Sequence, residues 1–471
     1  MSRSRFGIAS MLVAAFVLAA CSTPMRPDLA RLYRVRAGMP DTTPVIVIPG
    51  LFGSRLRDRT TGVEVWPGTA SSVLFGDYRN LALQFDPVTL AVRPDNLEAA
   101  GLADQILGQA FYGPLIETLQ RYGGYVPGTP GTPSVPGERR YYLFAYDWRQ
   151  DNVAHMRALD RLIDDIRRDY GDPSLRVDVV AHSMGGLIAR YYLRYGMVDV
   201  LDGGNDELVT LYGTSRVRKL VLLGTPNLGS VGSLHAFLTG EPIGFGRIAP
   251  EVLATMGSGY QLFPHPLVSW VIDTAGRDLD VNLFDAANWR QFGWSVFDPA
   301  VASRIRAARR REGDTDADAH LAALGRYFEY RLERGRRFLW MLSTPEPATP
   351  IRYVLFGGDC VLTPARLALE EDAGRYQARL YPDDIHHRMA GVPYGELMLE
   401  PGDGRVTKPS LLARVALDPQ APLSEDSFLP VAYWFFLCER HDQLTNNVNF
   451  QDNLLNVLLT RSLPWEMSPS P

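Results

Sequence analysis

The chain has 471 residues, enough to bury a large core as one domain carrying an insertion or as two domains. Hydrophobic residues make up 46% and charged residues 21%, a globular balance that excludes a disordered chain. The formal net charge of -5 gives no electrostatic case for a nucleic-acid partner, which usually demands a basic face.

Arg3 and Arg5 open the chain, and residues 6–20 that follow are almost wholly apolar or small. That run is shorter than the roughly 20 apolar residues of a bilayer-spanning helix, and it predicts a secretory signal peptide over 1–20. It ends Leu18-Ala19-Ala20-Cys21-Ser22, which resembles the lipobox of bacterial lipoproteins. The resemblance implies that Cys21 is lipidated and becomes the mature N-terminus. Serine rather than aspartate at 22 resembles lipoproteins sorted to the outer membrane, so the expected location is the bacterial cell envelope. Two or more acyl chains on one residue hold a protein stably at a membrane, which a single chain does not. A plain signal peptide with a coincidental cysteine is the alternative. In an oxidising compartment Cys360 and Cys438 either pair or stay as two buried thiols, and the sequence leaves both open.

A polar tether over 21–43 leads to the β-branched run 44–49 (Pro-Val-Ile-Val-Ile-Pro). Consecutive apolar residues without alternation suit a strand covered on both faces. Similar runs recur at 141–146, 175–181, 219–223, 351–356 and 431–437. Between them lie helical patterns. Met156, Leu159, Leu162, Ile163 and Ile166 repeat at spacings of three and four, with Asp151 or Asn152 as N-cap and Gly171 past the end. Strands alternating with helices predict a mostly parallel sheet with helices on both faces. Two stretches depart from this rhythm. Residues 125–137, rich in Pro and Gly, read as an exposed loop. Residues 227–350 are longer and mixed, with Tyr260, Phe263, Trp289, Phe292, Trp294 and Phe297 and a strongly charged helical portion from about 302 to 337. They read as an inserted cap, or as a helical domain whose aromatics are its own core. The expected core is therefore 44–226 and 351–463.

The segment 175–186 carries the chemistry: a strand, then Ala181-His182-Ser183-Met184-Gly185-Gly186, then a helix. This strand-turn-helix context is that of the nucleophile elbow of an α/β-hydrolase. The usual pattern is Gly-x-Ser-x-Gly, and Ala181 is a mild departure from it; a helix-capping serine is the alternative. A serine hydroxyl needs a base to become a nucleophile. Of eight histidines, His441 follows the last strand-like run by a few residues, where this fold places its base. His182 adjoins the serine, and its ring is expected to point elsewhere. For the acid, Asp359 follows the strand 351–356, while Asp403 sits in Gly402-Asp403-Gly404-Arg405-Val406, and the residues alone leave the two even.

The series Pro49-Gly50-Leu51-Phe52-Gly53-Ser54, Tyr146-Asp147-Trp148-Arg149, Ala181-His182-Ser183-Met184-Gly185 and Gly402-Asp403-Gly404-Arg405-Val406 resembles the motifs of the lecithin:cholesterol acyltransferase family, with group XV phospholipase A2 and phospholipid:diacylglycerol acyltransferase. The resemblance spans roughly 44–444. It implies Asp403 as the acid, although Arg405 stands where the family often has Thr, and it implies Leu51 as one oxyanion donor. The other expected donor is the N–H of Met184, just after the nucleophile. It implies acyl-ester hydrolysis or O-acyl transfer on a phospholipid or other long-chain ester, which a membrane anchor at Cys21 suits. A triacylglycerol lipase or general esterase, and a non-catalytic lipid- or partner-binding lipoprotein, are the rivals. Asp147-Trp148-Arg149 shapes an acyl pocket or makes a structural ion pair. The segment Thr225-Pro226-Asn227 marks the crossing into the cap. No cofactor or metal signature is present in the chain.

Overall fold

The computed structural model describes residues 26–460 apart from 39–40, 70–75, 77, 104, 107–108, 203–208, 314–315, 345–348, 350, 352 and 415–428. The N-terminal segment 1–20 and Cys21 lie outside the described residues.

Seven strands form one sheet, β1 (Val45–Ile48), β2 (Tyr125–Pro127), β3 (Arg139–Leu143), β4 (Val177–His182), β5 (Val217–Leu223), β6 (Tyr353–Gly358) and β7 (Val431–Leu437). Their order is β7-β6-β5-β4-β1-β3-β2 and every neighbouring pair is parallel. Six of them coincide with the apolar runs of the sequence. The seventh, β2, opens the Pro- and Gly-rich stretch expected as loop. It pairs only with β3, so Pro127 stands on an edge, where its missing N–H costs no ladder bond.

Alternate residues of the strands feed two cores. Val45, Val47, Val180, Val221, Leu223, Val354 and Phe356 pack against helices α1 (Leu29–Ala37), α2 (Tyr112–Arg121) and, at the C-terminus, Val448–Leu459. Ile46, Ile48, Val179, Ala181, Leu220, Leu222 and Leu355 face α3 (Met156–Tyr170) and α4 (Met184–Tyr195). Each such side chain fully removed from water contributes about 1.5–3 kcal/mol, which is why both faces of these strands are apolar. Helix α3 starts behind a 3-10 turn whose Asp151 accepts the N–H of Val153 at 3.1 Å, and Gly171 closes it at φ 64.

The chain leaves the sheet twice on the side that carries the strands' C-terminal ends. Between β5 and β6, the described residues from 224 to 344 form short helices and a hairpin, then α5 (Pro299–Arg311) and α6 (Ala317–Ser343). Tyr260, Phe263, Trp289 and Phe328 interlock there with ring centroids 4.8–5.9 Å apart, and they are continuous with the core under Ile46, Ile48 and Leu222 rather than a separate one. Between β6 and β7, a second excursion contributes the strands Leu367–Asp372 and Arg375–Arg379, and the first of these pairs with Val271–Asp273 of the earlier excursion. One three-stranded sheet thus joins the two. Buried Asp151 fastens α6 to the turn that starts α3, accepting from Arg334 at 2.8 Å and Arg331 at 3.3 Å.

Candidate active site

Strand β4 ends at His182 and α4 begins at Met184, which leaves Ser183 in the turn at φ 52 and ψ -124. A non-glycine residue in that region stores on the order of 1–3 kcal/mol, and the surroundings hold it there. Its N–H donates to the Leu223 carbonyl at 2.7 Å, and its carbonyl accepts from Gly186 at 2.9 Å. From Val177 to Gly196, Ser183 is the one residue that is not buried. Its hydroxyl makes no capping hydrogen bond to α4, although it stands at the helix's N-cap position. The small residues are required: a β-carbon on Gly185 would lie 2.4 Å from the Pro49 carbonyl oxygen, and one on Gly186 only 2.0 Å from Thr225 Oγ1. Ala181, fully buried between Ile48 and Leu222, fits with its methyl, so the departure from glycine at this position is accommodated.

His441 lies just past β7, and its Nδ1 stands 2.8 Å from Asp403 Oδ2. The backbone repeats the contact, since the His441 N–H donates to the Asp403 carbonyl at 2.8 Å. Asp403 is 2% exposed, and its other oxygen accepts the N–H groups of Arg405 at 2.9 Å and Val406 at 2.7 Å. Because residue 405 serves through its backbone, Arg in place of the family's Thr leaves the carboxylate's support intact. The Arg405 side chain instead reaches Glu241 at 3.1 Å. Asp359 is engaged elsewhere, by Lys408 Nζ at 2.8 Å. Cys360 and Cys438 are joined in a disulfide that ties the loop after β6 to the end of β7, three residues before His441. Gly224, next to the carbonyl that fixes Ser183, has φ 53, and a β-carbon there would lie 2.9 Å from the His441 ring. The serine turn and the histidine loop therefore meet at the end of β5.

The turn after β1 completes the site. Gly53 N–H closes it on the Gly50 carbonyl at 3.0 Å, and a β-carbon on Gly50 would lie 2.7 Å from the Ser183 β-carbon. Leu51 and Met184 therefore flank the serine, and among the described residues neither backbone N–H donates to another group. Phe52, at φ 64, packs edge-on to Trp148 at 4.7 Å and beside Trp66 at 5.0 Å, and its carbonyl accepts from Trp66 Nε1 at 2.8 Å. That aromatic cluster holds the strained turn. Trp148 itself donates to the Ser54 carbonyl at 3.0 Å, and Arg149, wholly buried, bonds Asp147 at 2.8 and 2.9 Å and Asp95 at 2.9 Å. The Asp-Trp-Arg motif is thus a buried ion pair with an indole that braces the turn.

The His182 ring, beside the serine in the chain, packs onto the rest of the site. It stacks on Phe111 at 3.9 Å, faces the His441 ring at 4.8 Å, and bonds the Tyr112 hydroxyl through Nδ1 at 3.0 Å. Burial holds its pKa well below the usual histidine value, and the neighbouring His441 adds to this. Burial likewise pushes the Tyr112 phenol up, so both groups are neutral. Nothing near Tyr112 in the sequence marks it, because its partners lie 62 and 70 residues away. Among the described residues no group of three or more His, Cys, Asp or Glu side chains is placed to hold a metal ion.

Residues 138–266 match the lecithin:cholesterol acyltransferase family, a span that contains β4, the Ser183 turn and Asp147-Trp148-Arg149. Comparison of the sequence with curated proteins finds no match. Among solved structures, the crystal structure of a Tle4–Tli4 complex superposes with a TM-score of 0.58 at 16% identity, covering 89% of this chain and 98% of that chain. Such a likeness fixes the fold alone, that of the α/β-hydrolases. The mature Bacillus licheniformis lipase BlEst2 aligns at 11% identity and a TM-score of 0.34 over 90% of this chain and 94% of its own. For Staphylococcus hyicus lipase the values are 13% and 0.32, over 92% and 97%.

Proposed function

We propose that this chain, a lecithin:cholesterol acyltransferase-like α/β-hydrolase, cleaves or transfers the acyl group of a long-chain lipid ester through an acyl-enzyme at Ser183. Asp403 engages Nδ1 of His441, so the ring keeps its proton on Nδ1, donating it in a hydrogen bond to the carboxylate, and Nε2 is left as the base. Nε2 takes the proton as Ser183 Oγ bonds to the acyl carbon. The negative charge then on the carbonyl oxygen is met by the N–H groups of Leu51 and Met184. Collapse breaks the ester bond, and His441 returns the proton to the leaving alcohol. Water or an acceptor alcohol repeats the cycle in reverse and frees the acyl group. The observation that carries this reading is the doubly bonded Asp403–His441 pair packed against the glycine that follows the serine's own backbone partner.

The test is labelling by a fluorophosphonate probe, followed by turnover of labelled phospholipid with and without a sterol or fatty alcohol. Labelling of the wild type but not of Ser183→Ala supports the acyl-enzyme. Equal or absent labelling in both overturns it in favour of a silent lipid-binding protein. A new ester in the presence of alcohol assigns acyl transfer, and free fatty acid alone assigns hydrolysis. A head-group panel separates a phospholipase from a triacylglycerol lipase.

The N-terminal motif supports attachment to the outer membrane of a bacterial envelope through lipid on Cys21, which would hold the site at its substrate's surface. Among the described residues no helix is long and apolar enough to cross a membrane. Metabolic labelling with palmitate that is lost in Cys21→Ser supports the anchor; label retained in that variant overturns it.

A further inference from the structure

The geometry points to Tyr112 and His182 as positioning residues that set the oxyanion turn against the nucleophile, an inference that rests on the acyl-enzyme reading above. Gly50 N–H donates to the Tyr112 hydroxyl at 2.9 Å, and that hydroxyl lies 3.0 Å from His182 Nδ1. The phenol oxygen has one proton to give. In this relay the amide donates into the oxygen and the phenol proton is given to Nδ1, with the histidine's own proton on Nε2. Tyr112 and His182 are both buried.

The relay's two ends are the residue before Leu51 and the residue before Ser183. It therefore spans the two backbone segments whose N–H groups face the reacting carbonyl oxygen. The hydroxyl is also wedged beneath the turn, since a β-carbon on Gly53 would lie 2.5 Å from it. Neutral His182 has a second consequence. Its ring lies 4.8 Å from that of His441, and a cation there would oppose the imidazolium that forms on His441 during acyl transfer. Burial keeps His182 uncharged in this position.

Three variants test the relay on ester turnover, with the melting temperature and the affinity of a trifluoromethyl ketone followed in parallel. Tyr112→Phe and His182→Leu are expected to lower kcat roughly 10- to 100-fold while KM stays within about twofold, as for a donor displaced by a fraction of an ångström. Affinity for the ketone, whose adduct carries the oxyanion, falls by a similar factor. His182→Asn keeps an acceptor near the Nδ1 position and is expected to retain kcat within about threefold. Unchanged kcat in Tyr112→Phe, equal losses in His182→Asn and His182→Leu, or losses of kcat and KM that track the melting temperature each overturn the proposal. Should Tyr112→Phe not fold, the two His182 variants decide alone. Wild-type turnover that survives Ser183→Ala removes the acyl-enzyme reading itself, whereas Ser183-dependent turnover indifferent to the relay removes only this inference.

Discussion

Asp403 holds His441 twice, with its carboxylate 2.8 Å from the ring Nδ1 and with its carbonyl 2.8 Å from the backbone N–H. One contact sets the tautomer and the other sets the height of the loop, so the imidazole is fixed in both rotation and position. Asp403→Asn keeps the shape but reverses the donor at Nδ1. It is expected to lower kcat by roughly 10³–10⁴, while Asp359→Asn, which loses only a contact with Lys408, stays within about threefold. Steady-state ester hydrolysis checks this, and a larger loss in Asp359→Asn would reverse the assignment.

Gly224 combines φ 53 with ring atoms of His441 at 2.9 Å and Asp403 Oδ2 at 3.1 Å from the place a β-carbon would take. Gly224→Ala is expected to lose about 1–3 kcal/mol from backbone strain and more than about tenfold in kcat, since the displaced group is the proposed base. Denaturant unfolding and turnover measure the two separately. Wild-type activity in this variant would show that the histidine loop does not depend on the glycine.

The Cys360–Cys438 disulfide closes a loop of sequence separation 78 and precedes His441 by three residues. Removing it with a double alanine variant is expected to cost about 4 kcal/mol on the chain-entropy account and to lower kcat through the loosened loop. Calorimetry with and without reductant gives the first quantity. A melting temperature that reductant leaves unmoved contradicts the prediction.

His265, wholly buried beside Trp340, has its pKa lowered from 6.5 to about 4, chiefly by burial and further by Arg190, against a backbone hydrogen bond at Leu339. The folded protein thus prefers the neutral ring. Its contribution is complete above pH 6.5 and is lost as pH falls from there to about 4, where the folded form also takes the proton. The total is about 3 kcal/mol. Unfolding free energies at pH 7 and pH 4.5 should converge more in His265→Gln than in the wild type, and an identical pH slope in the two proteins would refute the assignment.

The strands and the two layers were legible because their signal is local. A fully covered strand writes itself as an unbroken apolar run, as at Val45–Ile48 and Val217–Leu223. Ser183 was legible for the same reason: a strained turn between strand and helix demands small neighbours within three residues of it. The edge strand Tyr125–Pro127 was hidden because its outer side has no partner to impose a pattern. The second excursion was hidden because the strand Leu367–Asp372 pairs with Val271–Asp273, about a hundred residues earlier.

The order serine, then acid, then histidine belongs to the sequence itself, and with it the proposal of Ser183 and His441. Which aspartate meets the imidazole was decided by folding, because Asp359 and Asp403 occupy equally suitable places in the chain and differ only in what lies beside them in space. The same holds for the pairing of the two cysteines and for Tyr112. Its hydroxyl matters because residues 50 and 182 arrive on either side of it. A linear chain records the burial each residue needs, but contacts between distant segments are fixed only when the sheet closes and brings them to one edge.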